Sequence, residues 1–409
     1  MKTLTGPFSQ MLSLEGLALN GAIDDSRLQV IAGGGVITEK GIILETGNFE
    51  QLYAQNPGIQ VEEIRGENVL LPGFIDCHTH ICFAGNRAKD YSMRIQGKSY
   101  LEIAKSGGGI WDSVIQTRTA DENTLITLLQ QRAERHLAEG VTTIEVKSGY
   151  GLDLANELKQ LRAISKVAAL TGADLVPTCL AAHLLPKDFR GTGADYLDHL
   201  LKDLLPLLKA EHLTNRVDIF IEESAFSSIE ALPYLQAAKA MGFQLTVHAD
   251  QFSTGGLQVA VQTGALSADH LEAVTEKEIN LLKGSATVAV VLPGASLGLG
   301  MPYAPARKLL DAGACVAIAS DWNPGSAPMG DLLMQASVMS AAEKLSTAEV
   351  FAGLSFRAAR ALGMNDRGML LPGMKADMQA YPCHDHREIL YYQGKLKPHM
   401  VWKNGVCKL

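Results

Sequence analysis

The stretch Gly73-Phe74-Ile75-Asp76-Cys77-His78-Thr79-His80 carries the clearest signal of the fold and of its chemistry. It is an apolar run that ends in two histidines, His78 and His80, separated by one residue. On a β-strand, alternate side chains point to the same face, so both imidazoles can face one point. Neutral imidazole is the commonest metal ligand in proteins. The stretch therefore predicts a strand that supplies half of a metal site.

The composition is that of an ordinary globular protein. The chain has 409 residues, 47% of them hydrophobic and 20% charged, which is enough for a large core and more than one domain. The net charge is −8 and no basic patch stands out, which argues against nucleic acid as a main partner. We find no signal-like N-terminus and no apolar run of about 18 residues, so we expect a cytoplasmic protein without a membrane partner. The six cysteines form no CxxC pair, which favours reduced thiols.

Short apolar runs alternate with amphipathic helical patterns through the middle of the chain. The eight predicted strands cover residues 74–78, 141–146, 174–180, 217–221, 243–248, 266–269, 287–292 and 315–320. One intervening helical pattern begins after the N-cap candidate Asp121 and stops at Gly140. Eight strands alternating with helices predict a parallel (β/α)₈ barrel. Both ends of the chain have a different texture, with short strands separated by turns.

Barrel enzymes carry their chemistry at the C-terminal ends of the strands. Five of the eleven histidines and one aspartate fall at those ends, namely His78, His80, His183, His248, His270 and Asp321. A single histidine at a strand end is usually structural, but six such residues on one face indicate a metal site. Three imidazoles and one carboxylate suit Zn²⁺ or iron and are too rich in nitrogen for Ca²⁺ or Mg²⁺. Such a site leaves room for a water whose pKa the metal lowers.

This order of ligands along the strands resembles the amidohydrolase superfamily. Within it, four narrower motifs resemble the imidazolonepropionase family: Phe83-Ala84-Gly85-Asn86-Arg87, Ser106-Gly107-Gly108-Gly109-Ile110, Lys147-Ser148-Gly149-Tyr150-Gly151-Leu152 and Asp321-Trp322-Asn323-Pro324-Gly325-Ser326. The resemblance runs nearly end to end. It implies a composite β-sandwich domain of residues 1–66 plus 370–409 beside an α/β barrel of residues 67–369. It also implies hydrolysis of the cyclic amide of 4-imidazolone-5-propanoate to N-formimidoyl-L-glutamate in histidine degradation.

The same resemblance implies a role for each candidate residue. One Zn²⁺ or Fe³⁺ ion would be held by His78, His80, His248 and Asp321. The substrate, a small molecule with a carboxylate, would be contacted by Arg87, Tyr150, His183, Gln251, Asn323, Gly325 and Ser326. The Arg87 guanidinium suits a clamp on that carboxylate, because its planar fork binds carboxylates through two hydrogen bonds. His270, Asp321 and His183 are the catalytic candidates, with His270 either orienting the water or polarising the attacked carbonyl.

Several points stay open at this stage. Gln251 stands where related ring deaminases have a glutamate; an amide is neither acid nor base, so we expect a hydrogen bond to substrate instead. Lys147 follows the second strand, whereas the carbamylated lysine of dinuclear relatives follows the fourth, which favours one metal ion. Glu222 is either a partner of the site or an ordinary strand-end acid, and the loop 106–109 is a candidate lid.

Two other functions compete with the hydrolysis of a cyclic amide. One is a purine- or pyrimidine-type ring aminohydrolase with a single metal ion, against which Gln251 counts. The other is a non-catalytic barrel that only binds, against which the complete set of candidate ligands counts. The sequence leaves a homodimer open.

Overall fold

Two sheets contain the strands of the chain, one parallel and one mixed. The computed structural model describes residues 1–98, 102–103 and 106–408. In chain order the strands are β1 (Thr3–Met11), β2 (Ile31–Glu39), β3 (Ile42–Asn48), β4 (Gln60–Glu63), β5 (Val69–Pro72), β6 (Phe74–Asp76), β7 (Val141–Lys147), β8 (Asp174–Ala182), β9 (Arg216–Ile221), β10 (Gln244–Ala249), β11 (Ser267–His270), β12 (Val288–Val291), β13 (Val316–Ile318), β14 (Met378–Tyr381), β15 (Met400–Lys403) and β16 (Val406–Cys407).

The parallel sheet runs from β6 to β13 in chain order and forms the predicted barrel. Each of the eight predicted strands overlaps one observed strand. These strands are buried almost throughout, which explains why they read as nearly continuous apolar runs. Beyond the ends of β6 and β13, Thr79 pairs with Trp322, and the His80 amide donates to the Trp322 carbonyl at 3.0 Å. These contacts join the first and last strands, so the predicted (β/α)₈ class is confirmed.

Helices follow most barrel strands and cover the outside. The α-helices span Phe49–Gln55, Ala88–Ile95, Ile110–Thr119, Glu122–Ala138, Leu154–Ala168, Gly193–His199, Leu205–Ala210, Ser228–Ala240, Gly256–Thr263, Glu276–Leu282, Pro293–Leu299, Ala306–Asp311, Leu332–Glu343, Thr347–Gly353, Phe356–Ala361 and Arg387–Tyr391. The Asp121 carboxylate accepts from the Thr124 amide and caps the helix Glu122–Ala138, as its position in the sequence predicts. In the described part of the chain, every helix is too short or too polar to cross a membrane.

The mixed sheet takes strands from both ends of the chain. Its order is β16-β15-β14-β5-β1-β2-β3, with β4 also paired to β1. The rings of Phe8 in β1 and Trp402 in β15 lie 6.1 Å apart, and Ile42 in β3 pairs with Lys375, so the sheet curls around its own apolar core. This curled sheet supplies the packed interior that a sandwich requires. It includes β5, which lies beyond residue 66, and the exact division into domains stays a prediction.

A buried carboxylate reinforces the junction between the first and last barrel strands. Oδ1 of Asp76 accepts from the Ser320 amide at 3.0 Å, and Oδ2 lies 3.1 Å from Nε2 of His136. Both side chains are fully buried. His136 belongs to the helix Glu122–Ala138, and its ring packs 4.8 Å from the Trp322 ring. Asp76 therefore ties an outer helix and both sides of the junction together.

Replacement of Asp76 by alanine should destabilise the barrel. The change leaves His136 and the Ser320 amide without their partner in the interior, so we expect the free energy of unfolding to fall by about 3 kcal/mol. The variant Asp76→Asn keeps an acceptor for Ser320 and should lose less. Urea denaturation measures both, with the exposed Glu50→Ala as the control. A loss in Asp76→Ala no larger than that of the control contradicts this role.

Candidate active site

Four side-chain atoms converge at the C-terminal ends of the barrel strands. Nε2 of His80 lies 3.2 Å from Nε2 of His78 and 3.2 Å from Nε2 of His248. Oδ1 of Asp321 lies 3.5 Å from Nε2 of His78 and 3.3 Å from Nε2 of His80. Ligands about 2.05 Å from a tetrahedral zinc ion are themselves about 3.3 Å apart. The spacing of the four atoms therefore fits a single metal ion between them.

The protonation of these groups also suits a metal ion. Burial lowers the pKa of His80 and of His248 to about 3, so both imidazoles are neutral. Burial alone would do the same to His78, but Asp269 and Asp321 outweigh it and raise the pKa of His78 to about 9. The carboxylates thus favour one positive charge in the cluster. A bound metal ion supplies that charge while the histidines stay neutral.

Two buried aspartates orient the ligand imidazoles from behind. Oδ2 of Asp269 lies 2.6 Å from Nδ1 of His78, and Oδ2 of Asp218 lies 2.9 Å from Nδ1 of His248. A carboxylate beside Nδ1–H fixes the ring and leaves Nε2 free to bind metal. Neither aspartate is among the residues predicted from the sequence. The sequence feature that could have identified them is an acidic residue inside an apolar strand, as in Val217-Asp218-Ile219.

Lys147 holds these carboxylates together. Its Nζ lies 2.8 Å from Oδ2 of Asp218, 2.8 Å from Oε1 of Glu145 and 3.7 Å from Oδ2 of Asp269. Although burial opposes it, the three carboxylates raise the pKa of Lys147 well above its usual value. A permanently charged amine bound on several sides is unsuited to carbamylation. This agrees with the expectation of one metal ion.

A cavity of about 640 Å³ opens over the four converging atoms. Its lining includes the predicted residues His80, Arg87, Tyr150, His183, His248, Gln251, His270, Asp321, Asn323, Gly325 and Ser326. His78 lies beneath them and is fully buried. The structure thus brings the predicted site residues into one place, and their individual roles stay predictions.

Arg87 presents one edge of its guanidinium to this cavity. Its Nε donates to Oδ2 of Asp90 at 2.8 Å, and the Gly109 amide donates to the same oxygen at 2.8 Å. Within the described residues, Nη1 and Nη2 of Arg87 donate to no other group. A Cβ at Gly325 would lie 2.3 Å from Nη1, so only glycine allows this approach. The arrangement leaves two terminal NH₂ groups for an anionic ligand, and any lid motion of residues 106–109 stays a prediction.

His183 is held in one tautomer beside the predicted metal ligands His80 and His248. Its Nδ1 lies 3.0 Å from the Gly149 carbonyl, which accepts its proton. Burial lowers the pKa of His183 to about 3, so the ring is neutral and Nε2 carries the lone pair. The ring stacks on His80 at 5.6 Å and lies 5.8 Å from the ring of Tyr150. His183 therefore presents an acceptor atom, Nε2, in the lining of the cavity, and its contact with a ligand stays a prediction.

The turn after β13 positions the second oxygen of Asp321. Oδ1 of Asn323 accepts from the Gly325 and Ser326 amides at 2.7 and 2.8 Å, which closes the turn. The Ser326 hydroxyl lies 3.2 Å from Oδ2 of Asp321 and donates to it. Asp321 itself has a φ of +51°, a conformation that non-glycine residues rarely adopt. The two turn amides and the Asn323 side chain are thus used within the loop, which lines the cavity.

Glu222 organises the segment that carries Gln251. Its Oε2 accepts from the Phe252 amide at 2.9 Å and from the Ser253 amide at 3.1 Å, and the Ser253 hydroxyl donates to Oε1. Glu222 therefore supports the loop after β10 and contributes no ligand atom to the cluster. Of the two readings that the sequence left open, the structure favours a partner of the site.

Comparison with known proteins places the chain in a family. The profile of the amidohydrolase family matches residues 69–407. Imidazolonepropionase of Myxococcus xanthus is 41% identical over 354 residues, which are 86% of this chain and 84% of that protein. Imidazolonepropionase of Bdellovibrio bacteriovorus is 38% identical over 412 residues, covering 99% of this chain and 96% of that protein.

Solved structures share the fold at low sequence identity. Atrazine chlorohydrolase TrzN from Arthrobacter aurescens, complexed with zinc, superposes with a TM-score of 0.70 at 15% identity, covering 99% of this chain and 94% of its own. An adenosine deaminase from Xanthomonas campestris with bound zinc gives a TM-score of 0.71 at 16% identity, covering 100% and 92%. At this identity the likeness concerns the fold alone. The sequence matches carry the assignment: the chain belongs to the amidohydrolase family and, within it, to the imidazolonepropionases.

Proposed function

We propose that the chain hydrolyses the cyclic amide of 4-imidazolone-5-propanoate to N-formimidoyl-L-glutamate. The observation that carries this proposal is the convergence of three imidazoles and one carboxylate beneath a cavity that also contains the free edge of Arg87. The converging imidazoles and carboxylate suit the activation of water, and the free edge of Arg87 suits a substrate with a carboxylate. Membership of the imidazolonepropionase family supports the same reaction.

The metal ion would be Zn²⁺ or Fe³⁺, held by His78, His80, His248 and Asp321. When bound there, it supplies a Lewis acid and lowers the pKa of the attacking water. The short distances between the four donor atoms, and the imidazole and carboxylate groups that carry them, suit either ion.

The chain's own residues hold the substrate and move the proton. Arg87 binds the propionate through its two terminal NH₂ groups, which fixes the ring over the predicted metal site. His183 accepts a hydrogen bond from the substrate ring, and Gln251 offers its amide to another ring atom. Water attacks the carbonyl, the ring C–N bond breaks, and the ring nitrogen takes a proton. Asp321 and His270 line the cavity where that proton transfer occurs.

A ring aminohydrolase is the second candidate and is less favoured. Such enzymes require a proton shuttle after the fifth strand, and Gln251 holds an amide there. A barrel that only binds is disfavoured, because the ligand set is complete and its supporting carboxylates are in place. The cytoplasmic location, a homodimer and the absence of nucleic-acid and membrane partners stay predictions.

The decisive experiment combines metal analysis with turnover. Purified protein should contain close to one equivalent of zinc or iron and should convert enzymatically generated imidazolonepropionate to N-formimidoyl-glutamate. Removal of the metal by a chelator should abolish turnover, and Zn²⁺ or iron should restore it. Full activity without metal, or release of ammonia from guanine or cytosine instead, would overturn the proposal.

Replacement of Arg87 should separate binding of the carboxylate from binding of the metal. Arg87→Ala removes both terminal NH₂ groups, so we expect kcat/KM to fall by about 100-fold or more. Arg87→Lys keeps the charge without the fork and should recover only part of the loss. Metal content should equal that of the unmodified protein in both variants. An unchanged kcat/KM in Arg87→Ala would contradict the proposal that Arg87 binds the carboxylate of the substrate.

Replacement of Asp269, which contacts His78 on the side away from the cavity, should lower the affinity of the site for its metal ion. Asp269→Asn removes the charge beside Nδ1 of His78 and should lower metal affinity by about 10–100-fold, because partners of this kind orient the ligand. Competition with a chromophoric chelator measures the affinity. Glu222→Gln alters a buried carboxylate that does not contact a ligand histidine, so it serves as the matched control. Equal affinities in the two variants would contradict this role of Asp269.

A further inference from the structure

An unusual turn follows β11 and folds the chain back on His270. His270 and Leu271 have φ values of +88° and +72°, so two consecutive non-glycine residues adopt strained conformations. The Leu271 amide donates to the Ala249 carbonyl at 3.1 Å, and the Ala273 amide donates to the Asp250 carbonyl at 2.8 Å. These bonds to the end of β10 hold the turn in place. Strained backbone conformations of this kind persist only where surrounding contacts, such as these two hydrogen bonds, hold them in place.

The turn brings Glu272 against the ring of His270. Oε2 of Glu272 lies 3.5 Å from Nδ1 of His270, and the two side chains are 3% and 4% exposed. Both atoms are buried, and neither has a hydrogen-bond partner among the described residues. The other oxygen, Oε1, accepts from the Ser296 hydroxyl at 3.1 Å, which anchors the carboxylate to the helix Pro293–Leu299. A buried ring nitrogen and a buried carboxylate oxygen thus face each other, and neither has another partner in the part of the chain that the structure describes.

We propose that Glu272 is the positioning residue for His270, an inference that rests on the proposed function. Its carboxylate accepts the Nδ1 proton of His270 and fixes the imidazole in the tautomer whose Nε2 carries the lone pair. The separation of 3.5 Å shortens when the cavity is filled, as catalytic hydrogen bonds commonly do on ligand binding. Glu272 touches neither substrate nor metal and acts only through His270.

This assignment decides between the two roles that the sequence leaves open for His270. A ring with its proton on Nδ1 presents an acceptor at Nε2, so it orients the attacking water by accepting a hydrogen bond. It does not donate to the substrate carbonyl, because that role requires the proton on Nε2. Polarisation of the carbonyl is therefore not a role of His270.

Kinetics of two variants test the positioning role. In the metal-loaded enzyme, Glu272→Ala should lower kcat by about 10–100-fold while KM stays within about twofold. Metal content and melting temperature should match those of the unmodified protein. Glu272→Gln keeps an oxygen that accepts from Nδ1–H, so it should recover most of the lost kcat. An unchanged kcat in Glu272→Ala, or a glutamine variant as impaired as the alanine variant, would overturn the proposal.

The tautomer can be observed without turnover, which separates this proposal from the proposed function. In ¹⁵N-histidine spectra of the zinc-loaded protein, assigned with His270→Gln, His270 should show a protonated Nδ1 and an unprotonated Nε2. Glu272→Ala should shift or mix these signals. His183, whose Nδ1 bonds to the Gly149 carbonyl, should keep its own signals and is the internal control. An unaltered His270 spectrum in Glu272→Ala would overturn the proposal even if the enzyme is fully active.

Discussion

The ammonium group of Lys147, buried among three carboxylates, is the interaction on which the site depends. Buried charges are tolerated only when they are paired, and here one ammonium group is shared by three carboxylates, two of which also contact a histidine. The participants come from β7, β9 and β11, the second, fourth and sixth strands of the barrel. Side chains from alternate strands form a layer inside such barrels. In this protein one layer is ionic instead of aliphatic, and it supports the histidines predicted to bind the metal.

The positions of the strands and of the histidines could be predicted because they depend on local pattern. An apolar run bounded by turn residues marks a buried strand, and parallel strands end on the same face. A list of strand-end residues such as His78, His248 and Asp321 therefore gives the site without knowledge of any contact. The partners Asp218 and Asp269 could not be found in this way, because their roles depend on which residues lie side by side on different strands.

The roles of the loop residues depend on backbone conformations that local preference does not predict. Positive φ values at His270, Leu271 and Asp321 turn the chain sharply at three non-glycine positions. Only such turns bring Glu272 back to His270 and the Ser326 hydroxyl to Asp321. In the sequence alone, Glu272 looks like an ordinary polar residue of a loop. The strain is maintained by the hydrogen bonds of neighbouring strands, which become known only with the complete fold.

The junction between the two ends of the barrel has a consequence for synthesis of the protein. The Ser320 amide and the Asp76 carboxylate that join there are 244 residues apart in the chain. The predicted ligands His78 and His80 lie on one side of this junction and the predicted ligand Asp321 on the other. A nascent chain therefore holds an incomplete set of donors until its last barrel strand has left the ribosome. Completion of the predicted donor set and closure of the barrel therefore depend on the same late contact.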